Sequence, residues 1–166
     1  MKKVFYISGT TIAGGGPEHI FQLLKRLNKN EWEVVICTLK DGMYWEKFNL
    51  LGIKTYNLPL RILSLKTAYK IFILLRKEKP DLTHTHGKGP GLYGRIISFF
   101  LKIPTVHTFH GFHYDDLKIY TRWLHLAVEN FLSLLTDQHI FVSTGEKNRA
   151  RVIKFLDEEN SVVIHN

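Results

Sequence analysis

At 166 residues the chain has room for one domain with its own core, and a hydrophobic content of 45% excludes a disordered chain. Its 23 Lys and Arg outnumber 15 Asp and Glu by eight, which favours anionic partners: nucleotide phosphates, nucleic acid or an acidic membrane surface. The single cysteine, Cys37, excludes an internal disulfide, reads as a small buried residue and fits a reducing compartment.

Val4-Phe5-Tyr6-Ile7 opens the chain as a strand near 3–8. Met1-Lys2-Lys3 precedes it and no small-residue cleavage site follows, so this run is not read as a signal peptide. Ser8–Ala13 then leads into Gly14-Gly15-Gly16-Pro17-Glu18, and Ile20, Leu23, Leu24 and Leu27 mark one face of a helix near 17–29. A strand, a glycine turn and a helix N-terminus make an anion site. The glycines let backbone approach a ligand, the free N–H groups of the first turn point at it, and Pro17 suits the first helical position. Further strands are expected near 33–39, 53–58, 81–85, 104–109, 138–142 and 161–165, with helices near 43–51, 65–79, 88–101, 115–135 and 144–156.

Three of these helices rest on spacing. Ala68, Ile71, Phe72 and Leu75 recur on one face, as do Leu92, Ile96, Phe99 and Phe100. A long stripe of Leu117, Tyr120, Leu124, Ala127, Val128, Phe131 and Leu135 is expected to cover the sheet as core. Ser143 with Glu146 three residues later forms a capping-box pattern. No segment is long and apolar enough to span a bilayer. Short apolar strands alternating with helices predict a doubly wound α/β fold: a mainly parallel, Rossmann-like sheet sandwiched by helices, in one domain over 1–166.

Ligands of such folds sit beyond the carboxyl ends of the strands. The unusual residues fall there: the glycine loop, His84–Gly89, His107–His113 and Ser143–Lys147. The glycine loop lacks the Gly-Lys-Ser/Thr of a Walker loop, and His19 stands where a dinucleotide fingerprint needs its third glycine. Asp41, after the second strand, is the only counterpart of a ribose-binding acid, so a nicotinamide-type oxidoreductase or epimerase stays as the alternative enzyme. His84 and His86 face the same way and suggest a metal pair, yet no Asp or Glu stands close by. His110 beside Gly111 offers one ring donor and one acceptor, with space next to them for a sugar hydroxyl or a phosphate oxygen. Arg61, Lys66, Lys70, Arg76, Lys77 and Lys79 form either a solvated helix face or an attraction to an anionic membrane. Charge is the only argument for nucleic acid, so none is expected as a partner.

Taken in order, these pieces resemble the family 4 glycosyltransferases of the GT-B fold. Gly15-Gly16-Pro17-Glu18 resembles their GG-x-E loop, and Pro80–Gly87 resembles their P-D-hydrophobic-x-H-x-H strand. Pro104–Gly111 is similar to P-x-V-x-T-x-H-G. Val142-Ser143 with Glu146-Lys147, and Val162–Asn166, match the segments that follow. The resemblance implies the N-terminal, acceptor-side half of a retaining enzyme, with the C-terminal donor-binding domain absent from this chain. It also implies a nucleotide-sugar donor, a glycan or lipid-linked acceptor, no metal and no other cofactor. Polysaccharide or glycoconjugate synthesis would follow, in the cytoplasm, with peripheral contact to the inner face of an anionic membrane. Gly16, beside Gly15, resembles the glycine whose N–H meets the donor diphosphate. His110, before Gly111, resembles the histidine that touches the transferring sugar and is the expected catalytic residue. Glu18, His86 and Ser143 complete the expected substrate- and phosphate-binding set. A non-catalytic subunit of a split glycosyltransferase is the alternative within this reading.

Overall fold

Residues 1–111, 118–152 and 160–165 are described by a computed structural model. Seven parallel strands lie in the order β3-β2-β1-β4-β5-β6-β7. They are β1 Lys2–Ser8, β2 Trp32–Thr38, β3 Lys54–Asn57, β4 Leu82–His86, β5 Thr105–Phe109, β6 Gln138–Phe141 and β7 Ser161–Val163. Six helices connect them: α1 Gly15–Arg26, α2 Tyr44–Leu50, α3 Leu65–Glu78, α4 Lys88–Leu101, α5 Ile119–Ser133 and α6 Thr144–Val152. The expected Rossmann-like sheet is therefore present. Residues 115–117 and 153–156 of the two last expected helices lie outside the described residues, as do Phe112, His113 and Asn166.

The order turns at β1. The chain runs outward through β2 and β3, then returns to place β4 on the other side of β1, with Ser8 opposite His86. The loops after β1 and β4 thus share the switch point, where an open α/β sheet leaves a crevice.

Strand β1 is apolar on both faces because both are covered. Val4 and Tyr6 pack with Ile20, Leu24, Tyr44 and Phe48 of α1 and α2. Phe5 and Ile7 pack with Ile71, Leu75, Tyr93 and Ile97 of α3 and α4. Cys37 is fully buried, and burial pushes its thiol up to about 12. Helix α3 begins at an N-cap, Ser64, whose Oγ accepts the Thr67 N–H at 3.4 Å. Half of the capping box forms at α6, where Ser143 Oγ accepts the Glu146 N–H at 3.2 Å. No helix of the described residues is long and apolar enough to cross a membrane.

Two apolar stripes are not core, of which only that on α5 is expected to be. On α4, Phe99 and Phe100 face solvent, and the inward face is Gly91, Gly94, Ile97 and Ser98. The cause is close approach: a Cβ on Gly94 would lie 2.2 Å from Thr85 Cγ2 and 3.0 Å from Ile7 Cδ1. On α5, Tyr120, Leu124 and Phe131 are 86%, 65% and 56% exposed, Ala127 and Val128 are exposed too, and Leu117 lies outside the described residues. What α5 buries is Glu129 and Leu132. Arg95 of α4 is wholly buried, and its Nη2 donates to Glu129 Oε2 at 2.7 Å. Leaving that guanidinium without a carboxylate would cost about 3–5 kcal/mol, so charge pairing rather than the apolar stripe sets the rotation of α5.

Candidate functional site

A cavity of about 430 Å³ opens at the switch point. The end of β1 and the start of α1 form one wall, through Thr10, Gly14 and Gly16. The start of α4 forms the other, from Gly87 to Pro90. Arg61 enters from the loop after β3, and His86 and His110 complete the lining.

Two helix N-termini meet here, and neither has a side-chain cap. Helix α1 opens after Gly14 in extended backbone, and the Gly14 carbonyl accepts the Glu18 N–H at 3.1 Å. Helix α4 opens after Gly87, whose φ of 78° suits glycine. Their first N–H groups have no intrahelical partner and carry the positive ends of two helix dipoles. Such ends attract phosphate, and Arg61 and Lys88 add cationic side chains. Burial lowers the pKa of Lys88, opposed by the charge of Glu129.

The loop is held from outside the cavity. Asp41 accepts from the Thr11 N–H and from Thr10 Oγ1, both at 2.7 Å, and the Thr11 carbonyl accepts the Tyr44 N–H at 3.0 Å. Burial would raise the pKa of Asp41, but these bonds hold it below the usual range. Its oxygens are thus engaged by the loop rather than presented as a ribose ligand would be.

Below the glycines lies a histidine cluster. His86 Nδ1 and His110 Nε2 share a hydrogen bond of 3.0 Å, and the His84 ring is 4.2 Å from that of His86. His84 Nε2 pairs with Thr108 Oγ1 at 2.8 Å, so this pair of histidines serves packing and hydrogen bonding. Burial carries His84 down to about 3 and His110 down to about 4, and holds His86 well below its usual value. All three rings are neutral at pH 7. Among the described residues, His86 Nε2 and His110 Nδ1 are buried without a partner. A neutral ring with an unused nitrogen can donate to, or accept from, a sugar or phosphate oxygen.

Gly16, His86 and His110 are thus brought together as expected. A Cβ on Gly16 would sit 3.7 Å from His110 Cδ2. That is ordinary contact and no positive φ occurs at Gly16, so a Cβ alone fits and only a larger side chain would crowd the His110 ring. Gly15 starts α1, and Gly111, at φ 125°, turns the chain after β5. Two expected residues lie elsewhere. Glu18 accepts from Gln22 Nε2 at 2.6 Å and from the Tyr44 hydroxyl, and these bonds lower its pKa. Ser143 caps α6.

Gly87 and Lys88 line the cavity from the expected His84–Gly89 loop, whereas sequence reasoning missed Arg61 and Thr10 as lining residues. Arg61 reads as one more cation of the α3 cluster, yet it precedes the helix. Leu58 and Leu60 are buried on either side of Pro59, and a Cβ on Gly89 would lie 2.5 Å from the Leu60 carbonyl oxygen. That contact seats the Arg61 loop on the start of α4. The alternation of apolar Leu58 and Leu60 just before Arg61 was the available signal.

Fold and cavity define a Rossmann-like domain with a crevice at its switch point on which two helix N-termini converge. Residues 13–166 match the Glycosyltransferase Family 4 profile, and the chain belongs to that family. A curated relative, the UDP-Gal:alpha-D-GlcNAc-diphosphoundecaprenol alpha-1,3-galactosyltransferase of Escherichia coli, is 35% identical over 71 residues, which is 39% of this chain and 18% of that enzyme. Anabaena HepE, solved in complex with UDP, superposes on all of this chain and 44% of its own, with a TM-score of 0.77 and 19% identity. A glycosyltransferase from Rickettsia africae superposes on 99% of this chain and 43% of its own, with a TM-score of 0.78 and 15% identity. The chain therefore spans less than half the length of these proteins.

Proposed function

We propose that the chain is the acceptor-side half of a retaining glycosyltransferase that moves a sugar from a uridine-diphosphate donor to a lipid-linked or other glycan acceptor, and that a second, donor-binding domain completes the cleft. One observation carries the reading: two uncapped helix N-termini, Arg61 and Lys88 converge on one cavity beside a neutral His110. The relative from Escherichia coli, whose name specifies a UDP-sugar and a diphosphoundecaprenol acceptor, supports the substrate classes.

Chemistry in such a site is electrostatic. As the sugar leaves its diphosphate, negative charge grows on the departing oxygens. Preorganised N–H groups of α1 and α4, with the two cations, hold that charge without reorganising. His110, fixed by its bond to His86, positions a sugar oxygen and excludes water from the reacting carbon. The surplus of eight positive charges supports a cytoplasmic, peripheral position at an anionic membrane.

The test is transfer by the complete gene product, given labelled UDP-sugars and a polyprenyl-diphosphate-linked sugar acceptor. A labelled lipid product that disappears in His110→Ala supports the proposal. No transfer from any UDP-sugar to any glycan or lipid-linked acceptor refutes it.

A further inference from the structure

Helix α3 carries more than the face that packs on the sheet. Ile71 and Leu75 point inward, where Ala68 and Phe72 join them. On the outside, Leu65, Tyr69 and Ile73 recur every four residues and form a second apolar strip. They are 91%, 65% and 43% exposed. Ile62 and Leu63, in the loop before the helix, extend the strip and are each 71% exposed. Lys66, Lys70 and Lys77 fall on the neighbouring strip of the same outer face and are exposed as well. An apolar cavity of about 300 Å³, between Tyr56, Leu58, Tyr69 and Ile73, opens there too.

Charge identifies the partner. From Leu58 to Lys77 there is no Asp or Glu, and there are five Lys or Arg. A protein surface that docks such a face would have to be both greasy and acidic. An anionic bilayer is both by construction: hydrocarbon below, phosphate above. Lysine stems reach back from an apolar strip to phosphate level, which is the arrangement of an interfacial helix.

The apolar residues are also held outward. The Tyr93 hydroxyl donates to the Ile62 carbonyl and accepts the Ser64 N–H, both at 2.6 Å. The next residue back is Arg61, in the anion cavity. Insertion of Ile62 and Leu63 therefore brings the mouth of that cavity to the headgroup layer.

We propose that the 61–77 segment inserts Ile62, Leu63, Leu65, Tyr69 and Ile73 into the headgroup–acyl boundary of an anionic phospholipid bilayer, with Lys66, Lys70 and Lys77 at the phosphates. On the glycosyltransferase reading, this presents the cavity to an acceptor whose phosphate is anchored in the same bilayer. Attachment is then part apolar and part electrostatic, not electrostatic alone.

The experiment uses the full chain and vesicles of phosphatidylglycerol and phosphatidylcholine. Cys37 is wholly buried, so Leu65→Cys provides one accessible thiol for an environment-sensitive dye. Asn148→Cys on α6 is the exposed control. The expected results are a blue-shifted emission at position 65 and none at 148, on phosphatidylglycerol vesicles only. Lys66→Glu/Lys70→Glu/Lys77→Glu should weaken binding by at least about a hundredfold. Ile62→Ser/Leu65→Ser/Ile73→Ser, all at exposed positions, should weaken it about tenfold or more and leave only binding that high salt removes. An apolar variant that binds like the parent at every salt concentration overturns insertion. Equal binding to phosphatidylcholine alone, or none to either vesicle, overturns the whole proposal. Vesicle binding is read without donor or acceptor, so its failure and a failure of sugar transfer are separate results.

Discussion

Glu78→Gln is expected to remove about 3 kcal/mol of stability at pH 7, and far less in acid. Glu78 ends α3 and is 6% exposed. Lys54 Nζ at 2.7 Å, the Tyr56 hydroxyl at 2.6 Å and Lys3 Nζ at 3.3 Å all donate to its carboxylate. Burial pushes the carboxyl pKa up, but these partners outweigh it and carry the value from 4.5 down to about 2. At about 1.4 kcal/mol per pH unit, that gap gives about 3 kcal/mol. Lys54 is half exposed, so solvent screening makes this an upper figure. The folded-state value lies below the unfolded one. The stabilisation is therefore complete above 4.5 and is lost as pH falls toward 2. Urea unfolding of parent and variant, followed by circular dichroism at pH 7, 5, 4 and 3, should show a difference that shrinks to about 1 kcal/mol at pH 3. The buried neutral histidines lose stability below about pH 6.5 as well, but equally in both proteins, so the difference isolates Glu78. A constant offset at all pH values, or none at pH 7, would refute the reasoning.

In the complete enzyme, Gly16→Val should abolish transfer with the circular dichroism unchanged, because branched carbons would fill the space beside the His110 ring; normal turnover would return Gly16 to a turn-making role. Gly89→Ala should weaken anion binding at the cavity, since the added Cβ meets the Leu60 carbonyl oxygen at 2.5 Å and must displace the Arg61 loop; phosphate titration by calorimetry checks this. Glu129→Ala should cost about 3–5 kcal/mol in urea unfolding, as it removes the carboxylate paired with the buried Arg95 guanidinium; a loss under about 1 kcal/mol would refute that this pair holds α5 in place. The chain by itself should show no turnover with any UDP-sugar, and any measurable product would sink the two-half reading.

Strand and helix order was legible because each element carries its own period. Phe5 and Ile7 alternate with Val4 and Tyr6, and Ile71 and Leu75 sit on the expected face of α3. The failed core stripe of α5 and the outward Phe99 and Phe100 of α4 share a cause. Apolar spacing names a stripe but not the direction in which it points. On α4, glycine and serine face the sheet because the backbones come too close for Phe99. On α5, Glu129 faces in because Arg95 is already buried. Both depend on a partner distant in sequence, which periodicity does not register. The site divides in the same way. Gly16, His86 and His110 announce themselves at strand ends. Arg61 joins them only because Gly89 admits the Leu60 carbonyl, a contact between residues nearly thirty positions apart.

Tyr93 fastens the loop that bears both Arg61 and Ile62, through its bonds to the Ile62 carbonyl and the Ser64 amide. A single amide proton therefore gauges two surfaces. While the loop is seated, the Ser64 N–H is occupied and protected from solvent exchange; an opening that frees it also withdraws the guanidinium and the leading apolar side chains. Slower deuterium uptake at Ser64 in the presence of either phosphate or vesicles would then measure, in one residue, how strongly the two ligands reinforce each other.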